Sequence, residues 1–232
     1  AGAKHSSLDA ELKLPAATTF DQSLAQFDRQ LETTPLQVKK ELALTIEKAT
    51  LDTDPKVTKS ERAVYEEKNC SVLLANSSGL HLNYRTNYCG GYVWVVAEDK
   101  GDVQTGAGMA YRPQLSQIDP VAIGKEAALK AVRLLGAKPI TTQKLALVLP
   151  PKVATQFLGI LATMLSAEAI QKERSLFAGR LGQQMASPVV TIVDDGSLKG
   201  EINTAPADGE GTVSERTILI DKGVLRSFMH NS

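Results

Sequence analysis

Apolar residues in the first third of the chain recur with a helical period. Phe20, Leu24, Phe27 and Leu31 step by four and three, which predicts one helix face. Thr34-Pro35-Leu36-Gln37 predicts a second start, with Thr34 as N-cap, Pro35 at the first helical position and Gln37 completing a capping box. Leu36, Val38, Leu42, Ile46 and Ala49 form its apolar side, and Asp52-Thr53-Asp54-Pro55 ends it. From Val57 the pattern shortens to runs such as Ala63-Val64-Tyr65, Ser71–Ala75, Leu80/Leu82/Tyr84 and Tyr92–Val96. With turns at Asn76–Gly79 and Glu98–Asp102, a bend at Cys89-Gly90-Gly91 and a return over Gln104–Arg112, these predict a meander of about five antiparallel strands.

Helical spacing resumes at Asp119-Pro120 and runs through Val121, Ala127, Ala128, Leu129, Val132 and Leu135 to a stop at Gly136. Leu145–Leu149 reads as a buried strand closed by Pro150-Pro151. A helix over about 152–170 follows, with Val153, Phe157, Leu161 and Leu165 on one face. At least two of Phe157, Leu161 and Leu165 should be buried. Ser175–Ser187 reads as largely irregular and Val189–Val193 as a strand, with Asp194-Asp195-Gly196 as its turn. Thr217–Ile220 and Val224–Met229 should flank a three-residue hairpin loop, Asp221-Lys222-Gly223.

The fold class these elements predict is α+β. Residues 1–140 are expected to pack helices on an antiparallel sheet, and residues 141–232 to form the start of a β-rich C-terminal domain with one inserted helix. The 232 residues suffice for a core without disulfide or metal. Twenty-six basic residues balance 26 acidic ones, so no global field draws the chain to nucleic acid or to an anionic membrane. The longest apolar run, Phe157–Leu165, is far short of the roughly 20 residues of a membrane span. Two cysteines without close spacing read as free thiols, which points to a reducing, cytoplasmic setting. The first residue is not Met and the sequence stops just after a strand-like run, so a longer parent protein is expected.

Candidate chemistry is sparse. His5, His81 and His230 are scattered, so neither a metal site nor a Ser-His-Asp set assembles from spacing. Gly101–Gly108 lacks the ending and the strand-to-helix setting of a phosphate loop. Two acidic pairs beside glycine, Asp194 with Asp195 and Asp208 with Glu210, stand either as solvated turns or as cation-binding and loop-anchoring groups.

An ordered set of short runs resembles the TldD/PmbA family, which is related to metallopeptidases. The runs are Ala75–Gly79, Arg133–Ile140, Leu147–Pro150, Ser175–Gln184, Thr191–Gly196, Asp208–Thr212 and Leu219–Leu225, in the family's order. Catalytic members carry H-E-x-x-x-H on the helix before the Ser-x-Phe-x-Gly run. Here Val153–Ala167 has neither His nor Glu, and Leu158–Met164 fills that slot. Ala205-Pro206-Ala207 also departs from the family's usual Phe-Asp.

The resemblance therefore implies the PmbA/TldE-like branch: no catalytic or metal-ligating residue and no cofactor in this chain, with zinc held by a TldD-type partner. It implies pairing with that zinc subunit or self-association, and action on unfolded peptides in the cytoplasm, with no nucleic-acid or membrane partner. A substrate groove would involve Ser175, Gly179, Val189, Thr191 and Val193, beside an acidic loop of Asp194, Asp195, Asp208 and Glu210. Two other readings stay open at this point: a peptide-binding or regulatory protein without peptidase activity, and a metallopeptidase whose ligands lie outside these residues.

Overall fold

The computed structural model describes residues 14–230; His5 lies outside them. The fold is α+β, with two three-stranded antiparallel sheets and helices against each. After a 3-10 turn at Gln22–Leu24 come α1 (Arg29–Thr33) and α2 (Leu36–Leu51). The first sheet is β1 (Val57–Ala75), β2 (His81–Asp99) and β3 (Asp102–Arg112), followed by α3 (Pro120–Leu134). The second part holds α4 (Pro151–Met164), α5 (Ala167–Gln171), β4 (Ile192–Asp195), β5 (Arg216–Asp221) and β6 (Val224–Leu225).

The expected helix through Phe20–Leu31 is broken. Asp21 and Asp28 each accept a backbone N–H two residues on, and Ala25 between them is extended. Thr34 does not cap α2; its hydroxyl donates to Gln30 O at the end of α1, and Pro35 is the N-cap. Asp119 behaves as predicted, accepting from Ala122 N at 3.0 Å, with Pro120 in the first turn of α3.

The five expected strands are three long ones. β1 and β2 pair without interruption from Arg62↔Trp94 to Ala75↔His81, and Cys89-Gly90-Gly91 lies within β2 rather than at a bend. Those glycines allow close contact. A Cβ on Gly90 would lie 2.2 Å from Ala110 O, and one on Gly91 2.7 Å from Val64 O. At the hairpin tip Asn76 Oδ1 accepts from Ser78 N and Leu80 N, which fixes the turn where β1 ends. The inner face of this sheet packs on α2 and α3 through Ile46, Val57, Cys89, Val93, Val95, Ile123, Ala127 and Ala131.

The second core gathers Leu165, Phe177, Leu219, Ile220 and Leu225. Helix α4 stops at Met164 because Ser166 starts α5, its hydroxyl accepting from Ala169 N. Of the three residues expected on its buried face, Leu165 is buried and Leu161 half-buried, while Phe157 is 52% exposed. Only the C-terminal end of α4 reaches the second core. The expected strand at Leu145–Leu149 is absent. This stretch lies in the open, Val148 at 98% exposure, because no described strand runs beside it to supply hydrogen bonds. β4 begins at Ile192 rather than Val189, so Asp194 and Asp195 sit in the strand and the turn follows at Gly196-Ser197. The β5–β6 loop is two residues, Lys222 and Gly223. Both have positive φ, the conformation of the hairpin turn that matches strand twist.

Candidate functional site

Helix α4 is the first place to look for chemistry. From Val153 to Met164 it presents no imidazole, carboxylate or thiolate. Its hydroxyls are turned back on the helix, Thr155 donating to Lys152 O and Thr163 to Ile160 O. A zinc ion needs several such N, S or O donors together, so this helix does not fit one. Among the described residues no group of three His, Cys, Asp or Glu could hold a metal ion. Val153, Phe157, Leu158 and Ile160 instead leave an exposed apolar stripe.

Behind α4, the Ser175 hydroxyl donates to Met164 O at 2.5 Å and accepts from Phe177 N at 3.1 Å. It ties the helix end to the following loop, whose Phe177 enters the second core. Gly179 sits in a turn at φ +68° with open space around it. Val189 is 90% exposed and outside any strand. Thr191 Oγ1 accepts from Lys222 N, and Val193 pairs with Ile218. None of Ser175, Gly179, Val189, Thr191 and Val193 lines the open cleft that holds Asp194 and Asp208.

Asp195 and Asp208 hold backbone turns. Asp195 Oδ1 accepts from Ser197 N and Oγ, closing the turn after β4, and its other oxygen faces Arg216 at 3.7 Å. Asp208 Oδ1 accepts from the N–H groups of Glu210, Gly211 and Thr212, each at 2.9 Å. One carboxylate oxygen thus organises the whole turn that carries Glu210. Gly211, at φ +96°, packs under Leu80 from the β1–β2 tip, where a Cβ would lie 2.6 Å from Leu80 Cδ1.

Asp194 and Asp208 do meet, on the walls of an open cleft of about 600 Å³. Glu215, Ser227, Phe228 and His230 line the same cleft. In the sequence His230 reads as an isolated histidine and Glu215, Ser227 and Phe228 carry no signal, since the cleft brings together segments around residues 194, 208, 215 and 228 that no spacing rule connects. Among the described residues the short β4 pairs with β5 alone, and Asp194 on it faces the cleft. An open strand edge can hydrogen-bond an extended peptide, and the carboxylates would favour a cationic group beside it.

The likeness to known proteins bears on both halves of the chain. Residues 29–135 match the PmbA/TldA metallopeptidase central domain, and residues 142–232 match the PmbA/TldA metallopeptidase C-terminal domain. The chain belongs to the PmbA/TldD family. Among curated PmbA/TldD relatives, a metalloprotease of Methanocaldococcus jannaschii is 28% identical over 77% of this chain and 40% of its own length. The metalloprotease PmbA of Escherichia coli is 24% identical over 94% of this chain and 50% of its own. TldE from Thermococcus kodakarensis, a solved structure, superposes with a TM-score of 0.76 at 20% identity, over 99% of this chain and 52% of that one. The present chain therefore spans about half the length of the PmbA/TldD proteins it matches.

Proposed function

We propose that this chain is part of a PmbA/TldE-type subunit, itself without catalytic metal, that completes a zinc metallopeptidase with a TldD-type partner. The observation that carries this reading is α4: at the position where catalytic members of the family place their ligand helix, residues 153–164 offer no imidazole, carboxylate or thiolate, only apolar side chains, the amide of Gln156 and two hydroxyls bonded back to the helix. The substrates would be unfolded peptides, held by main-chain hydrogen bonds along the open edge of β4 beside Asp194 and Asp208. Edge pairing reads backbone, so it selects for extended segments over folded ones. The setting would be cytoplasmic. Among the described residues no helix is long and apolar enough to cross a membrane.

The test is to express the full-length protein with and without a TldD-type protein, then to follow complex formation by native mass spectrometry and zinc by elemental analysis. The expected result is a stable complex whose zinc travels with the partner. About one tightly held zinc on this protein alone would overturn the reading.

A further inference from the structure

The two parts of the molecule keep separate cores, and among the described residues no strand of one sheet pairs with a strand of the other. Leu80 belongs to neither core. It sits at the tip of the β1–β2 hairpin, just after the exposed Ser77, Ser78 and Gly79, yet it is itself only 3% exposed. A leucine at the tip of an otherwise exposed turn is buried only where another element covers it.

The second part supplies that cover. Residues 207–213 form a small hairpin of their own, closed by the Ala207↔Val213 bridge and by Asp208 N donating to Thr212 O at 2.9 Å. Asp208, Gly209, Glu210 and Thr212 are exposed on it, while Gly211 is buried. Gly211 is the residue that meets Leu80. A Cβ there would lie 2.6 Å from Leu80 Cδ1 and 3.3 Å from Cδ2, so the leucine methyls occupy the space a side chain would need. The tip is anchored behind this contact. Asn76 accepts from Leu80 N, donates its backbone N–H to Leu80 O, and donates its side-chain amide to Pro15 O at 2.8 Å.

The turn pressed by Leu80 is the one that carries Asp208. Asp208, Thr212 and Val213 line the open cleft of the second part. We infer that Leu80 is a positioning residue for that cleft: the hairpin tip of the first part clamps the 207–213 turn and so fixes where the Asp208 carboxylate stands. Close-packed contacts transmit such a constraint because they leave no slack. A wall held in place before a ligand arrives spares it the entropy of ordering the loop. The inference rests on the reading of this cleft as the place where a peptide is held, and it adds that the first part governs how well the cleft is formed.

The test is hydrogen exchange on the full-length protein, read at the amides of Glu210, Gly211 and Thr212, with the Leu225 amide of the second core as internal reference. Leu80→Ala should speed exchange of the three turn amides by about tenfold or more, the effect of losing a buried leucine's contacts, while Leu225 stays protected. Leu80→Met, which keeps the volume, should restore slow exchange. Gly211→Ala presses on Leu80 from the other side and should also free the turn, but by a smaller factor once Leu80→Ala has made room. Unchanged turn amides in Leu80→Ala, an equal rise at Leu225, no rescue by methionine, or strictly additive effects of the two alanines would each overturn the inference. A second arm follows the anisotropy of a labelled unstructured peptide containing arginine. Leu80→Ala should weaken its binding by roughly fivefold, through the lost pre-organisation. Equal binding by Leu80→Ala would overturn the claim that the clamp serves the cleft. No binding by the unaltered protein would instead overturn the peptide reading of the cleft, with the exchange rates still deciding whether Leu80 positions the turn.

Discussion

Single atoms decide how closely α3 lies on the first sheet. A Cβ on Gly108 would sit 2.1 Å from Ile123 O, and one on Gly106 2.3 Å from Ala127 O, so the helix backbone itself blocks any side chain there. Gly108→Ala should therefore lower stability by about 1–3 kcal/mol, the usual effect of overpacking, measured by urea denaturation. Gly159, exposed within α4 with nothing within 4 Å, makes the opposite case. Gly159→Ala should raise stability by about 0.5–1 kcal/mol through helix propensity alone. Equal midpoints for the two variants would contradict the packing described. The two thiols also differ. Cys89 is fully buried in the first core, and burial pushes its thiol up to about 11. Its raised pKa contributes stability below its unfolded value, lost as pH rises from about 9 toward 11. A disulfide reagent at neutral pH should label the half-exposed Cys70 alone, with Cys89 reacting only on unfolding. Rapid reaction of both would show the core to be loose.

The elements differ in how openly the sequence states them. Helix α3 was legible to within a residue or so, because Asp119-Pro120 and Gly136 act locally, through caps that need no tertiary partner. The long β1–β2 hairpin was not. Glu66 to Asn69 interrupt the apolar pattern of β1, yet they stay in the ladder because β2 supplies partners through Asn87. Leu145–Leu149 fails the other way, an apolar run with no neighbour to pair. The same contrast runs along α4, whose apolar stripe reads as core although only its end packs. Leu165→Ala should cost about 2–5 kcal/mol and Phe157→Ala under about 1, by thermal or chemical melting of this chain. A larger loss at Phe157 would place a partner on that stripe within the chain itself. At the start of α4, Lys152 reaches Glu126 of α3 at 2.8 Å and Met109 O at 3.0 Å. Burial works to raise the Glu126 pKa, but Lys130 and Lys152 outweigh it and hold it below the usual carboxylate range. Its contribution to stability is therefore present above the unfolded carboxyl value and is lost as pH falls through the lowered one. Glu126→Gln should flatten the acid side of the melting temperature profile, and an unchanged slope would show that the pair carries nothing.

Across the whole molecule, two cores and two sheets are joined by an exposed stretch after α3. The cleft draws its walls from segments far apart in sequence, so composition could flag Asp194 and Asp208 but not Glu215 or His230 as their neighbours. Periodicity could not show that Ser175 is a structural tie, its hydroxyl spent on Met164 O. What the sequence did show at this scale is a lack of donors on one helix, and the functional reading rests on that helix. Metal-activated water is an effective nucleophile only where ligands hold the ion, and α4 offers none. The most direct measurement is a peptidase assay with unstructured peptides. It would use the full-length protein alone, mixed with a TldD-type partner, and mixed with that partner after its metal-polarising glutamate is changed to glutamine. The account predicts chelator-sensitive cleavage only in the intact mixture; cleavage by this protein alone, or cleavage that survives the glutamate change, would contradict it.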